Sequence, residues 1–275
     1  MAGQRLGQNF LADSAWRERI AALLRVRADE AWVEIGAGHG EMTAHLAAAA
    51  AHVTAIELDP PLVTGLRERA KAWPNVRVAA GDVLTLDLAE LAAAERFRVY
   101  GNLPYYITSP ILHLLFANAA RIVSAHVVMQ LEVAERVTAA PGGRDYGYLS
   151  VASRYFARPQ IALKIPPGAF RPAPKVWSAL VTLEFPGAAA ELGMNAGGDE
   201  NGAFLVFVQA CFAQKRKKLA NNLRAMAGED FAAGEIAGLM SAADIAPGAR
   251  AEELSVPEFV RLFRVVRARR VAKDT

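Results

Sequence analysis

The chain has almost no cysteine and no long apolar segment. Cys211 is its single cysteine, so an intramolecular disulfide is excluded. No stretch approaches the roughly 20 consecutive apolar residues of a membrane-spanning helix, and the first residues lack the basic-then-apolar layout of a signal peptide. The five histidines do not have the spacing of metal ligands. We therefore expect a cytoplasmic protein that holds no metal.

Acidic residues are missing from one segment near the C-terminal end. The formal net charge of the chain is only +3, yet residues 211–224 contain no Asp or Glu. The basic residues of this segment are Lys215, Arg216, Lys217, Lys218 and Arg224. A run of charges usually forms a solvated surface, but one without intervening acids favours a polyanionic partner. We predict that these basic residues contact a polyanion.

Short β-branched runs alternate with helical patterns over residues 31–185. This alternation is typical of βαβ units and a mostly parallel sheet. The predicted strands are residues 32–35, 53–56, 76–79, 98–101, 126–129, 160–165 and 176–185. A Pro-rich loop, rather than a helix, joins the last two, so they should form an antiparallel pair at or near one edge. The pattern predicts an open α/β sheet of seven strands.

The pattern changes after residue 186. Residues 187–201 are small and Gly-containing without periodicity, as expected of a linker. From residue 202 the periodicity is helical, with Phe204, Phe207, Val208, Cys211 and Phe212 on one face. We predict a first domain of residues 1–186, a linker of residues 187–201 and a small all-α domain of residues 202–275.

The run Asn102-Leu103-Pro104-Tyr105 ends one of the predicted strands. Pro104 has a fixed φ and no N–H, so the turn is stiff and the Leu103 carbonyl is left to accept. Asn102 adds a second neutral acceptor, and two acceptors can aim the lone pair of an exocyclic aromatic amine at an electrophile. Tyr105 can stack on the ring. An ordinary proline turn fits the same residues, so this interpretation depends on an electrophile elsewhere in the chain.

The glycine loop after the first predicted strand indicates that electrophile. Gly36, Gly38 and Gly40 occupy relative positions one, three and five, whereas a dinucleotide fingerprint needs one, three and six. The sixth position is Glu41, an anion where a pyrophosphate would lie. With Glu34 just ahead of it, the loop favours a cofactor without phosphates, S-adenosylmethionine.

Carboxylates follow the next two predicted strands. Glu57 can accept from ribose hydroxyls, which suits S-adenosylmethionine and dinucleotides alike. Asp82 can accept from an adenine amino group. Each can instead cap a helix, and the glycines can form a generic turn. Because all of them follow carboxyl ends of strands, where open α/β sheets bind ligands, a cofactor site is favoured.

Taken in order, the motifs resemble those of the ribosomal RNA adenine dimethyltransferases. The matching segments are residues 7–11, 34–40, 57–59, 81–82, 102–105, 170–176, 214–219 and 221–223. The resemblance implies a Rossmann-like methyltransferase sheet with a C-terminal all-α domain. It also implies an S-adenosylmethionine site of Asn9, Leu11, Gly36, Gly38, Glu57, Asp82 and Asn102. Tyr105 and Phe170 would sandwich the target adenine.

The resemblance further implies the substrate. This would be two adjacent adenosines near the 3' end of 16S ribosomal RNA, each methylated twice by a monomer acting on a 30S assembly particle, with the basic segment on the RNA backbone. Only Arg5 is basic ahead of residue 7, and Leu6 stands where the family often has Phe. The alternatives are a 23S adenine methyltransferase of the macrolide-resistance type, a non-catalytic RNA-binding assembly factor and, against the glycine spacing, a nicotinamide dehydrogenase.

Overall fold

A computed structural model describes residues 8–187, 192–194, 199–214, 217–227 and 233–271. Its contacts divide the chain into two compact units. The first comprises Met1–Glu135 and Ala157–Pro186, and the second comprises Arg136–Phe156 and Gly187–Thr275. Among the described residues, no helix is long and apolar enough to cross a membrane.

The first unit is built on a seven-stranded sheet. Its strands are β2 (Ala31–Ile35), β3 (His52–Glu57), β4 (Val76–Ala80), β5 (Phe97–Asn102), β6 (Ile122–Gln130), β7 (Arg158–Ile165) and β9 (Ser178–Glu184). The order is β4-β3-β2-β5-β6-β9-β7. The first five strands in this order run parallel, whereas β9 is antiparallel to β6 and to the edge strand β7. The predicted α/β sheet and its antiparallel pair are therefore confirmed.

The main difference in strand extent is at β6, which begins at Ile122 rather than at residue 126. Ser124 and Ala125 interrupt the β-branched pattern there, although both are fully buried. A further ladder was not predicted: β1 (Phe10–Leu11) pairs antiparallel with β8 (Phe170–Arg171). It joins the N-terminal segment to the Pro-rich loop.

Helices follow most strands of the first unit. They are α1 (Ser14–Leu24), α2 (Glu41–Ala47), α3 (Pro60–Ala70), α4 (Leu88–Leu91), α5 (Thr108–Ala117) and α6 (Leu131–Thr138), whose end belongs to the second unit. The Asp13 carboxylate begins α1 by accepting from the N–H groups of Ala15 and Trp16. Every residue of β2 is buried, as expected of a strand in the middle of a covered parallel sheet.

The described part of the second unit is helical. Its helices are α7 (Tyr148–Phe156), α8 (Asp199–Cys211), α9 (Leu219–Ala227), α10 (Ala233–Ala242) and α11 (Val256–Val271). The Tyr155 ring of α7 lies 4.4 Å from the Phe204 ring of α8, and Phe204 lies 5.6 Å from Phe263 of α11. Residues 136–156 thus group with the C-terminal helices. The predicted domain boundary near residue 186 had instead assigned them to the first domain. Local periodicity carries no information about such a distant packing partner.

Candidate cofactor and substrate site

A cavity opens at the carboxyl ends of the parallel strands of the first unit. Its empty volume, including solvent at the mouth, is about 770 Å³. The predicted site residues that line it are Asn9, Gly36, Glu57, Asp82, Asn102, Leu103, Pro104 and Tyr105. Leu11, Gly38 and Phe170 are not among its lining residues. The sequence motifs therefore converge on one cavity, with these three residues as exceptions.

The glycine loop between β2 and α2 uses conformations that favour glycine. Gly36, Gly38 and Gly40 have φ angles of +72°, +58° and +86°. A Cβ atom on Gly38 would lie 3.2 Å from the Phe10 ring. A side chain at Gly38 would therefore strain the backbone and crowd the Phe10 ring, which couples the loop to the N-terminal segment.

Glu57, at the end of β3, organises the same loop. One carboxylate oxygen, Oε2, accepts from the Gly38 N–H at 2.8 Å, and Oε1 accepts from the N–H groups of Leu58 and Asp59, both at 2.9 Å. A carboxylate offers about four acceptor directions, so these three bonds leave capacity for about one further donor. Gly38 does not line the cavity, but its N–H binds the carboxylate of Glu57, which does.

Asp82 is half-buried in the turn after β4. Its Oδ1 accepts from the Leu84 N–H at 3.0 Å, which stabilises the turn. The preceding Gly81 donates its N–H to the main-chain oxygen of Glu57 at 2.9 Å. The ends of β3 and β4 are therefore held together, and both carboxylate residues line one cavity.

Asn102 and Leu103 present two carbonyl oxygens. The Asn102 Nδ2 donates to the main-chain oxygen of Asn9 at 2.8 Å, while the Leu103 N–H donates to the Val128 oxygen at 3.0 Å. Within the described ranges, no hydrogen bond is made by the Asn102 Oδ1 or by the Leu103 carbonyl oxygen. By contrast, the Pro104 carbonyl accepts from the Ile107 N–H and the Thr108 hydroxyl. Two acceptors in adjacent residues thus remain for a ligand.

Tyr105 lies at the start of a short 3-10 turn and lines the cavity. Its hydroxyl is 2.8 Å from the Ser178 Oγ, which fixes the orientation of the ring. Burial raises the pKa of the Tyr105 phenol, so it stays neutral at physiological pH. The ring is thus a neutral, oriented surface on which a planar base can stack.

Phe170 does not share this cavity. It is only 1% exposed and packs in a hydrophobic cluster with Leu11, Ile20 and Trp32. Leu11 is likewise buried, and it pairs with Phe170 in the β1–β8 ladder. The structure therefore does not bring Phe170 against Tyr105, and its role in an adenine sandwich stays a prediction.

Several lining residues were not assigned from the sequence, among them Gln8, Phe10 and Tyr106. Within the described residues, the buried Gln8 Oε1 has no hydrogen-bond partner. Tyr106 is 59% exposed at the cavity. The only sequence feature that pointed to these residues is that they are adjacent to Asn9 or Tyr105. Adjacency alone does not predict which neighbours of a site residue line the cavity.

Glu34 is buried beneath the glycine loop with 2% exposure. It accepts a hydrogen bond from the Thr43 hydroxyl at 2.5 Å and pairs in register with Tyr100 of β5. Burial raises the pKa of Glu34 to about 8; the Thr43 bond lowers it, and the charges of Glu41 and Glu57 raise it further. Glu34 is therefore largely protonated at neutral pH. The buried Tyr100 hydroxyl lacks a hydrogen-bond partner in the described part of the chain.

The lining suits a cofactor without phosphates. Glu57 and Asp82 supply carboxylates, and among the described residues that line the cavity there is no Lys or Arg. The carboxylates would repel a pyrophosphate, and no cation of the described lining would compensate for this repulsion. By contrast, they would attract a positively charged sulfonium and could accept hydrogen bonds from hydroxyl groups. Among the described residues there is also no group of three or more His, Cys, Asp or Glu able to hold a metal ion.

The basic segment belongs to the second unit. Lys217 and Lys218 are exposed, and the exposed Arg224 donates to the Asn221 Oδ1 at 3.3 Å. Lys215 and Arg216 lie outside the described residues, as do Arg5 and Leu6. In the described part of the chain, neither Lys217 nor Lys218 has an ion-pair partner.

Comparison with known proteins identifies a family over nearly the whole chain. Residues 2–267 match the family described as Ribosomal RNA adenine dimethylase. A protein of Acidobacterium capsulatum named Ribosomal RNA small subunit methyltransferase A is 45% identical, with 96% of this chain and 91% of the relative covered. A protein of the same name from Xanthomonas axonopodis pv. citri is 39% identical, with 96% of each chain covered.

Two solved structures resemble the fold. The 23S rRNA methyltransferase ErmE is 28% identical with a TM-score of 0.69, over 94% of this chain and 100% of its own. A dimethyladenosine transferase from Plasmodium falciparum has a TM-score of 0.80 at 20% identity, over 94% of this chain and 98% of its own.

Proposed function

Since this chain belongs to the ribosomal RNA adenine dimethylase family and is an S-adenosylmethionine-dependent rRNA adenine dimethyltransferase, we propose that it dimethylates two adjacent adenosines near the 3' end of 16S ribosomal RNA. It acts as a monomer on a 30S assembly particle in the cytoplasm. The observation that carries the proposal is the pair of acceptors without partners among the described residues, Asn102 Oδ1 and the Leu103 carbonyl, in a cavity lined by acceptors.

The residues of the site position an amine rather than generate a base. S-adenosylmethionine supplies a methyl group on a sulfonium, which is already a strong electrophile. The Asn102 Oδ1 and the Leu103 carbonyl accept the two hydrogens of the adenine amine, so its lone pair points along the transfer direction. Their dipoles also stabilise the positive charge that develops on nitrogen. The amine proton becomes acidic as the bond forms and leaves to water.

Both acceptors are held independently of the substrate. Asn9 fixes the Asn102 amide and Val128 fixes the Leu103 N–H. After one methylation the amine keeps a single hydrogen, and either acceptor can take it. The arrangement is thus compatible with two transfers to the same nitrogen.

Several groups of the cavity fit the cofactor. Glu57 has acceptor capacity for one ribose hydroxyl, Asp82 can accept from the adenine amino group, and the buried Gln8 Oε1 can accept from an ammonium. Asn9 and Gly36 line the same cavity. Each of these roles is part of the proposal.

The exposed lysines of the second unit supply RNA affinity. Lys217, Lys218 and Arg224, together with Lys215 and Arg216, contact phosphates without reading sequence. Affinity for ribosomal RNA therefore falls steeply with salt concentration. Binding to 30S particles that is insensitive to salt would contradict this role.

The alternative substrate is 23S ribosomal RNA. ErmE, a 23S rRNA methyltransferase, shares the fold over 94% of this chain, but the relatives of higher identity carry the small-subunit name. A third possibility, an assembly factor without catalysis, is opposed by the intact acceptor pair.

Incubation with unmethylated small subunits and labelled S-adenosylmethionine tests the proposal. We expect label in two adjacent adenosines of 16S RNA and none in large subunits treated in parallel. Label in 23S RNA would favour the alternative substrate, and particle binding without turnover would favour the assembly factor. The Asn102→Ala variant is the control for contaminating activity.

A further inference from the structure

A large aromatic side chain is exposed beside the site, where the first unit's Pro-rich loop enters β9. Trp177 is 50% exposed and its neighbour Val176 is 44% exposed. Single exposed apolar residues are ordinary on protein surfaces. Three further observations make Trp177 different: its fixed backbone, its position near Tyr105 and the charge of its loop.

The backbone of Trp177 is anchored where it enters β9. Its carbonyl oxygen accepts from the Leu131 N–H at the start of α6, at 2.9 Å. The next residue, Ser178, is fully buried and its Oγ is 2.8 Å from the Tyr105 hydroxyl. The exposed indole therefore projects from a backbone that is held in place at its entry to β9.

The same contacts limit the distance from Trp177 to the substrate site. Because adjacent Cα atoms are 3.8 Å apart, the Ser178 bond places the Trp177 Cα within about 9 Å of the Tyr105 hydroxyl oxygen. Nucleotides in a duplex rise about 3.4 Å along each strand, so this distance is on the order of a few nucleotides. The nucleotides next to a base bound at Tyr105 are therefore within reach of the Trp177 side chain.

The loop also has the charge of an RNA-binding segment. Residues 166–177 include Arg171 and Lys175 but no Asp or Glu. Arg171 is exposed while donating to the main-chain oxygens of Gly168 and Phe170. Lys175 is exposed and forms no ion pair with any described residue. Stacking aromatics beside unpaired cations are typical of surfaces that bind single-stranded nucleic acid.

We propose that the Trp177 indole stacks on a nucleotide neighbouring the target adenosine in single-stranded RNA, with Lys175 on an adjacent phosphate. Trp177 is then a positioning residue that fixes which nucleotide of the strand reaches Tyr105. The inference deepens the proposed function and rests on its substrate being single-stranded ribosomal RNA.

Trp177→Ala and Trp177→Phe test this role, with Val206→Ala, an exposed apolar position of α8 (67% exposed), as the matched control. Because the stacking of a base on an aromatic ring contributes substantially to binding, Trp177→Ala should raise the KM for 30S particles by about 10-fold or more. The kcat and the affinity for S-adenosylmethionine should not change in Trp177→Ala. The KM of Trp177→Phe should stay close to that of the wild type. An unchanged KM in Trp177→Ala would overturn the inference while leaving the proposed function intact.

A binding measurement does not depend on turnover. A short single-stranded oligoadenylate should quench the tryptophan fluorescence of the wild-type protein more than that of Trp177→Phe. In Lys175→Ala, the slope of log affinity against log salt concentration should fall by the amount expected for the loss of about one phosphate contact. Equal quenching of both proteins would overturn the role of Trp177 even if 16S RNA proved not to be the substrate. If RNA did not quench the fluorescence, and the protein self-associated in a way that Trp177→Ala abolished, the surface around Trp177 would instead be an interface between copies of this chain.

Discussion

The Asn102 Nδ2 donates a 2.8 Å hydrogen bond to the main-chain oxygen of Asn9, which lies 93 residues earlier in the chain. The bond occupies the amide nitrogen and therefore turns the amide oxygen away from Asn9. The N-terminal segment thus sets the orientation of the acceptor on which the proposed chemistry depends.

We expect Asn102→Ala to lower kcat by about 100-fold or more, because the variant loses an acceptor aimed at developing charge. Its affinity for S-adenosylmethionine should stay within a few-fold of wild type, measured by calorimetry. Complete loss of cofactor binding would instead assign Asn102 mainly to the cofactor.

Glu57→Ala should have the opposite profile. The variant loses a proposed ribose acceptor and leaves the Gly38 N–H without its partner, so the cofactor dissociation constant should rise by about 10-fold or more. The kcat at saturating cofactor should change least. Glu68→Ala, which removes only an exposed ion pair with Lys71, is the control. An unchanged constant in Glu57→Ala would refute the ribose role.

Glu34 should make stability depend on pH. Between pH 4.5 and about pH 8 the folded protein keeps a proton that the unfolded chain releases, so the contribution of Glu34 to stability is lost as the pH rises through this window. Relative to Glu34→Gln, which cannot ionise, the wild-type free energy of unfolding should fall by on the order of 1 kcal/mol per pH unit. Urea unfolding at several pH values measures the difference. A constant difference would show that Glu34 is not protonated in the folded state.

Two variants separate the ring of Tyr105 from its hydroxyl. Tyr105→Phe removes only the bond to Ser178, so it should keep activity within about 10-fold of wild type. Tyr105→Ala removes the stacking surface and should raise the KM for 30S particles substantially more. If the two variants were equally impaired in single-turnover assays, the hydroxyl rather than the ring would be the essential group.

Sequence patterns predicted the seven-stranded sheet because the strands are locally rich in β-branched, aromatic and other apolar residues. The β1–β8 ladder escaped prediction because strands of two residues have no periodicity and their partners are distant. The burial of Phe170 follows from that same ladder, so its motif alone could not place it. In the candidate site, motifs identified Asn102, Glu57 and Asp82 as lining residues, but not the bonds that orient them, since hydrogen bonds such as Asn102 to Asn9 exist only after folding.

The β1–β8 ladder also bears on synthesis of the protein. It pairs Leu11 with Phe170, and Asn9 adjoins the same ladder. Closing so long a loop is slow, because distant segments must meet before any contact stabilises them. A growing chain cannot form this ladder until Phe170 has left the exit tunnel, so Asn102 lacks its fixed orientation until most of the first unit has been made. A nascent chain that ends before Phe170 is therefore expected to lack the oriented Asn102 acceptor.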